Sequence, residues 1–362
     1  MTKDELYNQM LTIVPVKDNG KDFRVRLTKE LTSYQQMLGL LDEIDRPDMW
    51  DDTLARLKQL CDGILRAVEN EYRGMRHSAY TSIKNQLDGY KSKKNEIKGL
   101  AYDKNIFKIK QGTSFYRMRK VKTKERHKLG KNDLFHIPLD RKGLVTTQRY
   151  SAPGYPCLYL SHRIYGCWEE MGRPDFGTAM VSHFKSLQEF NVLDLRIPSK
   201  AAWDIDMKRC ILFFPLVIAT MVQVENSNDA YKPEYTIPQI LTEWVISRSR
   251  HKDQNMKDII GIIYTSSQKS SDFEYPDDSW DNYAIPVLQP LANSVYCPRL
   301  NEIFSLSSPT YYDLEVLKQG DVIDGGAFDP NDEERLKQNI DTSRFGVMER
   351  YLMKYPTDVL KA

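Results

Sequence analysis

The hydrophobic period of this 362-residue chain changes near residue 105, and that change limits what it can fold into. From residue 28 to about residue 90 the apolar positions recur at helical spacing. They are Leu31, Tyr34, Leu38 and Leu41, then Leu54, Leu57, Cys61, Ile64, Val68 and Tyr72, then Ala79, Ile83, Leu87 and Tyr90. Breaks at Asp45-Arg46-Pro47-Asp48 and at Tyr72-Arg73-Gly74 divide the region into three helices. After residue 105 the apolar residues gather into short runs rich in aromatic and β-branched side chains, at 105–109, 114–118, 157–160, 179–184, 191–195, 259–264 and 283–288. The sequence therefore predicts an α+β fold in two parts: an all-α helical domain over residues 1–105, and a domain of mixed small sheets over residues 106–362 that ends in a helical extension.

Composition narrows the function classes. Charged residues make up 28% of the chain but the formal net charge is only +2, so no global field favours nucleic acid or an acidic membrane. The longest apolar run, residues 210–224, falls short of the ~20 residues needed to cross a bilayer, and Pro215 interrupts it. It is expected to be a buried core segment. The first ten residues, MTKDELYNQM, lack the apolar stretch of a signal peptide, and no lipidation motif is present, so a cytoplasmic location is expected. Five scattered cysteines form no CxxC pair and read as reduced, buried thiols. Six dispersed histidines show no HExxH spacing, and no metal site is expected.

Several segments read as surface or terminal features. Residues 227–233 and 266–279 are polar, turn-rich loops, and the second is a candidate site rim. Residues 329–332 look like a helix start before 333–340, with another short helix at 344–355. Residues 116–131 carry eight lysines and arginines against one glutamate, which reads first as a solvated loop. Steering of an anionic dinucleotide and contact with nucleic acid are its functional alternatives. His127 and His136 flank this run without the spacing of a catalytic base.

The chemistry concentrates in residues 149–171, RYSAPGYPCLYLSHRIYGCWEEM. Arg149 precedes a Pro153-Gly154 turn and Arg117 follows a strand-like Phe115-Tyr116 pair. Two such guanidinium groups suit a pyrophosphate, because the planar fork of arginine forms bidentate pairs that lysine does not. Tyr159 stands between Leu158 and Leu160, so period-two alternation sends the leucines to one face and the tyrosine to the other. If the ligand is NAD, an aromatic ring there would stack on its cationic nicotinamide. Glu170 sits among Cys167, Trp168 and Met171, an apolar setting in which a carboxylate needs a reason to be present, while Glu169 is expected to face water. Breaking a glycosidic bond to cationic nicotinamide releases a neutral leaving group, so one carboxylate that stabilises an oxocarbenium-like ribose suffices. Ser266 follows the strand-like run 261–265 and places a hydroxyl at its carboxyl end; no GxSxG elbow surrounds it.

In their order along the chain, FYRMR, RYSAPGYPCLYL, CWEEM and GIIYTSS resemble the RES domain, a family common among the toxins of bacterial toxin–antitoxin pairs. The resemblance covers about residues 106 to 300, and residues 233–245 resemble the helix before the serine strand of that family. It implies an ADP-ribosyltransferase-like fold with NAD as substrate. On this resemblance Arg117 and Arg149 bind the phosphates, Tyr159 contacts nicotinamide and its ribose, Glu170 is the catalytic carboxylate and Ser266 completes the site. The expected activity is cleavage of the nicotinamide–ribose bond by water or phosphate in a toxin or defence effector. ADP-ribosyl transfer to a protein and an inactive RES-like binding module are the alternatives. An antitoxin or regulatory protein and a homo-oligomer stay open as partners; no membrane and no nucleic acid partner is expected. The chain is longer than a minimal RES toxin, with a helical module before residue 105, an enlarged region between Met171 and Pro233 and a tail after residue 300.

Overall fold

Local signals explain where the helices begin and end. The computed structural model describes residues 1–92, 96–97, 99–100, 105–122, 125, 129–250, 258–268, 280–288, 294–311, 341 and 343–360. Thr2 and Glu5 form a capping box that starts α1 (Lys3–Leu11). Asp22 caps α2 (Phe23–Gly39) by accepting from Arg24 N at 2.8 Å. Asp51 and Asp52 lie in the first turn of α3 (Trp50–Tyr72), where the helix dipole favours negative charge. The fourth helix, α4 (Arg76–Asp88), stops at Gly89, whose φ of 82° suits a residue without a Cβ.

The remaining elements follow in chain order. A short antiparallel ladder joins β1 (Tyr90–Lys91) to β2 (Glu96–Ile97). Then come β3 (Ile106–Ile109), β4 (Ser114–Lys120), β5 (Cys157–Ser161), α5 (Ile164–Glu170), β6 (Ala179–Ser186) and β7 (Phe190–Leu195). After these run α6 (Lys200–Ile205), α7 (Met207–Thr220), α8 (Thr236–Arg250), β8 (Ile259–Thr265) and β9 (Asp281–Pro286). The chain closes with α9 (Pro298–Ile303), β10 (Phe304–Leu306), β11 (Thr310–Tyr311) and α10 (Arg344–Leu352). The mixed α+β class expected from the change of period is observed. The expected helix at 329–340 and residues 269–279 of the expected rim loop lie outside the described residues.

Two compact units result. The first comprises Met1–Phe107, Thr146–Gly154 and Val192–Ser267; its opening segment ends close to residue 105, and it takes in two later segments as well. The apolar run 210–224 lies largely in α7, every residue of which from Cys210 to Thr220 is buried, as a helix apolar on all sides requires. Pro215 within it has no N–H, which strips the Ile211 carbonyl of its helical partner. The buried Tyr34 hydroxyl of α2 donates to that carbonyl at 3.0 Å. The strand β8 is buried at every position and lies beside β7, which suits its isoleucine-rich sequence IIGIIYT.

The second unit comprises Lys108–Val145, Tyr155–Asn191 and Gln268–Ala362. Its strands are ordered β10-β6-β4-β5-β9, with β11 also on β6. Antiparallel β4 and β6 run in register from Ser114↔Lys185 to Lys120↔Ala179, and β5 and β9 from Cys157↔Pro286 to Ser161↔Asn282. Phe115, Phe184, Phe304 and Tyr283 pack edge to face, with Phe115 and Tyr283 centroids 4.9 Å apart. A second cluster holds Tyr116, Met118, Ile164, Tyr165, Trp168, Phe345 and Met348 and seats α5 and α10. The start of the basic run 116–131 is strand rather than loop, since residues 116–120 belong to β4. His127 lies outside the described residues. His136 is buried, accepts from Cys297 N at 2.9 Å and is pushed down to about 4 by burial, so it is a neutral packing group.

Candidate active site

Within the second unit the β5–β9 register decides which side chains meet. Tyr159 pairs with Ala284 and Ser161 with Asn282, so these four residues share one face. Leu158 and Leu160, with Ile285 and Tyr283, take the other. Both leucines are buried, and Tyr159 is the one β5 residue that is only half-buried. The alternation expected from the sequence is therefore present.

Glu170 is the last residue of α5, and its Oε1 accepts from Asn282 Nδ2 at 3.0 Å. Asn282 is buried on β9, on the Tyr159 face. The carboxylate thus stands on the same side of the β5–β9 ladder as the tyrosine. Its expected apolar setting is corrected: Glu170 is exposed, and Glu169 is the buried member of the pair. Each residue turns a helix by 100°, so neighbours face different ways, and Glu169 turns inward where Arg173 pairs with it at 3.1 Å. Asn282, which orients the exposed carboxylate, carried no signal in the sequence. Its partner lies 112 residues away.

Arg117 reaches from β4 to β5, where Nη1 donates to the Tyr159 carbonyl at 3.4 Å. Its Nε is buried without a hydrogen-bond partner. Burial pulls the guanidinium down to about 10, still charged at neutral pH. The ion pairs found among the described residues give Arg117 no carboxylate. Arg117 as a whole is half-buried, and a partly desolvated cation without a counterion is costly; an anionic group would relieve it.

Arg149 and Ser266 belong to the first unit. Arg149 Nη1 donates to the Thr220 and Val222 carbonyls at 2.8 and 3.0 Å, closing the carboxyl end of α7. Its Nη2 donates to Ser267 Oγ at 2.8 Å, and its guanidinium carbon lies 5.2 Å from the Tyr235 ring centre. The serine paired with this arginine is therefore Ser267; Ser266 beside it is fully buried. Among the described residues no group of three or more His, Cys, Asp or Glu is placed to hold a metal ion. Nor is any helix among them long and apolar enough to cross a membrane.

Fold and site together define an α+β protein whose short helix sets a carboxylate on the Tyr159 face of the β5–β9 ladder, while the pairing of Tyr116 with Ser161 starts the Arg117 side chain on the other face. Comparison with known proteins gives the family. Over 316 aligned residues, 83% of this chain and 68% of the relative, the sequence is 31% identical to the protein called Putative toxin YopC of Bacillus subtilis (strain 168). The chain belongs to the family of that protein. No family model matches it, and no solved structure does.

Proposed function

We propose that this chain is a NAD-consuming toxin that breaks the bond between nicotinamide and ribose. The observation that carries the reading is the Glu170 carboxylate, held by Asn282 on the Tyr159 face of β5. The RES-like order of motifs supports the substrate, and the relative's name supports a toxin role. Arg117 would anchor the pyrophosphate and Tyr159 would stack on nicotinamide. As the C1′–N bond breaks, its electron pair leaves with neutral nicotinamide, and Glu170 stabilises the positive charge left on the ribose. Water then attacks, giving ADP-ribose and a proton, or inorganic phosphate attacks, giving the phosphorylated sugar. An exposed carboxylate is reachable by a ligand, which a buried one would not be.

Product analysis of labelled NAD, with and without phosphate and with cell extract, tests the reading. Free ADP-ribose or its phosphorylated form supports degradation. A labelled protein band would move the reading to ADP-ribosyl transfer at the same site. Absence of nicotinamide release under every condition would leave only a binding module.

A further inference from the structure

The helix that carries Glu170 has seven residues, and an isolated helix that short does not hold itself in water. Its cap residue, Arg163, makes no side-chain capping bond. The cap comes instead from α10, 185 residues along the chain: Glu349 Oε1 accepts from Ile164 N at 2.7 Å. Glu349 Oε2 lies 3.0 Å from Arg163 Nε, and Arg163 pairs with Asp341 as well. Phe345 adds ring contacts to Tyr165 and Trp168, each with centroids 5.4 Å apart, and Met348 and Leu352 complete the buried cluster.

We propose that α10 is the positioning element of the candidate site: Glu349 fixes the amino end of α5 and so sets the reach of Glu170, at the other end, to Asn282. The inference rests on the functional reading above. A seven-residue helix is about 10 Å long, so a tilt of about 6° at one end moves the other by about 1 Å. A displacement of that size costs roughly 100-fold in a reaction that depends on placement. Glu349 touches no reacting atom, which makes it a positioning residue.

Nicotinamide release by the full chain carrying Glu349→Ala, Glu349→Gln or Glu349→Asp tests this, with near-ultraviolet circular dichroism to verify packing. For Glu349→Ala, kcat should fall on the order of 10- to 100-fold while the NAD KM stays within about twofold, since Arg117 lies on a different element. Glu349→Gln, whose amide oxygen still accepts the Ile164 N–H, should recover most of the loss. If Glu349→Ala does not fold, Glu349→Asp takes its place, because the shorter side chain withdraws the acceptor, and the same split is expected. Wild-type kcat in the folded Ala or Asp variant would overturn the inference, as would a Gln variant as impaired as Ala with KM rising in parallel. Those outcomes leave an active wild type and sink this inference alone. A wild type that releases no nicotinamide sinks the functional reading and this inference with it.

Discussion

Arg117 is a cation with no carboxylate partner among the described residues. The residue is half-buried, its Nε is buried without a hydrogen-bond partner, and the bond it makes among the described residues runs to a carbonyl rather than a carboxylate. Replacing such a cation by an apolar side chain of similar length removes the desolvation cost. Arg117→Met should therefore raise the stability of the ligand-free protein by on the order of 1 kcal/mol, measured by urea unfolding. The same variant should raise the NAD KM roughly 10- to 100-fold, because a charge-assisted contact is lost. A variant less stable than the wild type, with KM unchanged, would make Arg117 a structural residue.

At the scale of elements, α7 depends on Tyr34 of α2 and α5 on Glu349 of α10, partners distant in sequence. In α7 the Ile211 carbonyl freed by Pro215 is satisfied by the Tyr34 hydroxyl, inside a wall of buried residues. Tyr34→Phe keeps the ring packed on Phe214 but orphans that carbonyl, so unfolding should become easier by about 1–3 kcal/mol. In α10, burial pushes the Glu349 carboxyl up from 4.5 to about 7, against the opposing pull of Arg163. His162 also favours its charged form, Asp341 opposes it, and Tyr116 and Cys167, both buried, feel its charge. A carboxyl whose pKa is higher folded than unfolded stabilises the fold when protonated, fully below about 4.5, and loses that contribution as pH rises to about 7. The Tm of the wild type relative to Glu349→Gln should accordingly decline between those pH values and level off above them. A difference that grows with pH would contradict the assigned direction.

Across the whole molecule all five cysteines are buried thiols outside any disulfide, and burial pushes the Cys61 and Cys167 thiols up to about 12 and Cys210 up to about 11. A thiol-specific reagent at neutral pH should therefore react slowly with the native protein and count five thiols only after unfolding. Much of this architecture was legible in the sequence. The strands β5, β6, β7 and β8 fall on the runs 157–160, 179–184, 191–195 and 259–264, and α3 and α4 on the helical period, because each buries side chains at a regular local spacing. The capping box at Thr2 and Glu5 was also present in the sequence, although α1 was not expected from it. Arg117, Tyr159 and Glu170 were legible as candidates and share one unit, while Arg149 and Ser266 fall in the other. What the sequence did not disclose were the groups that orient them: Asn282 on Glu170, Glu349 on α5 and Ser267 on Arg149. Each acts across more than a hundred residues, and no local period records a contact made only by the folded chain. The inversion of Glu169 and Glu170 has a related cause, since two turns of helix are too few to define a buried face.

The central claim is that Glu170 serves a NAD-cleaving site, and its most direct test is nicotinamide release from NAD by the wild type beside Glu170→Gln. The substitution keeps size and the acceptor oxygen for Asn282 while removing the charge. Release by the wild type and a loss of at least about 100-fold in kcat for the folded variant are expected. Equal rates from the two proteins, or no release from either, would contradict it.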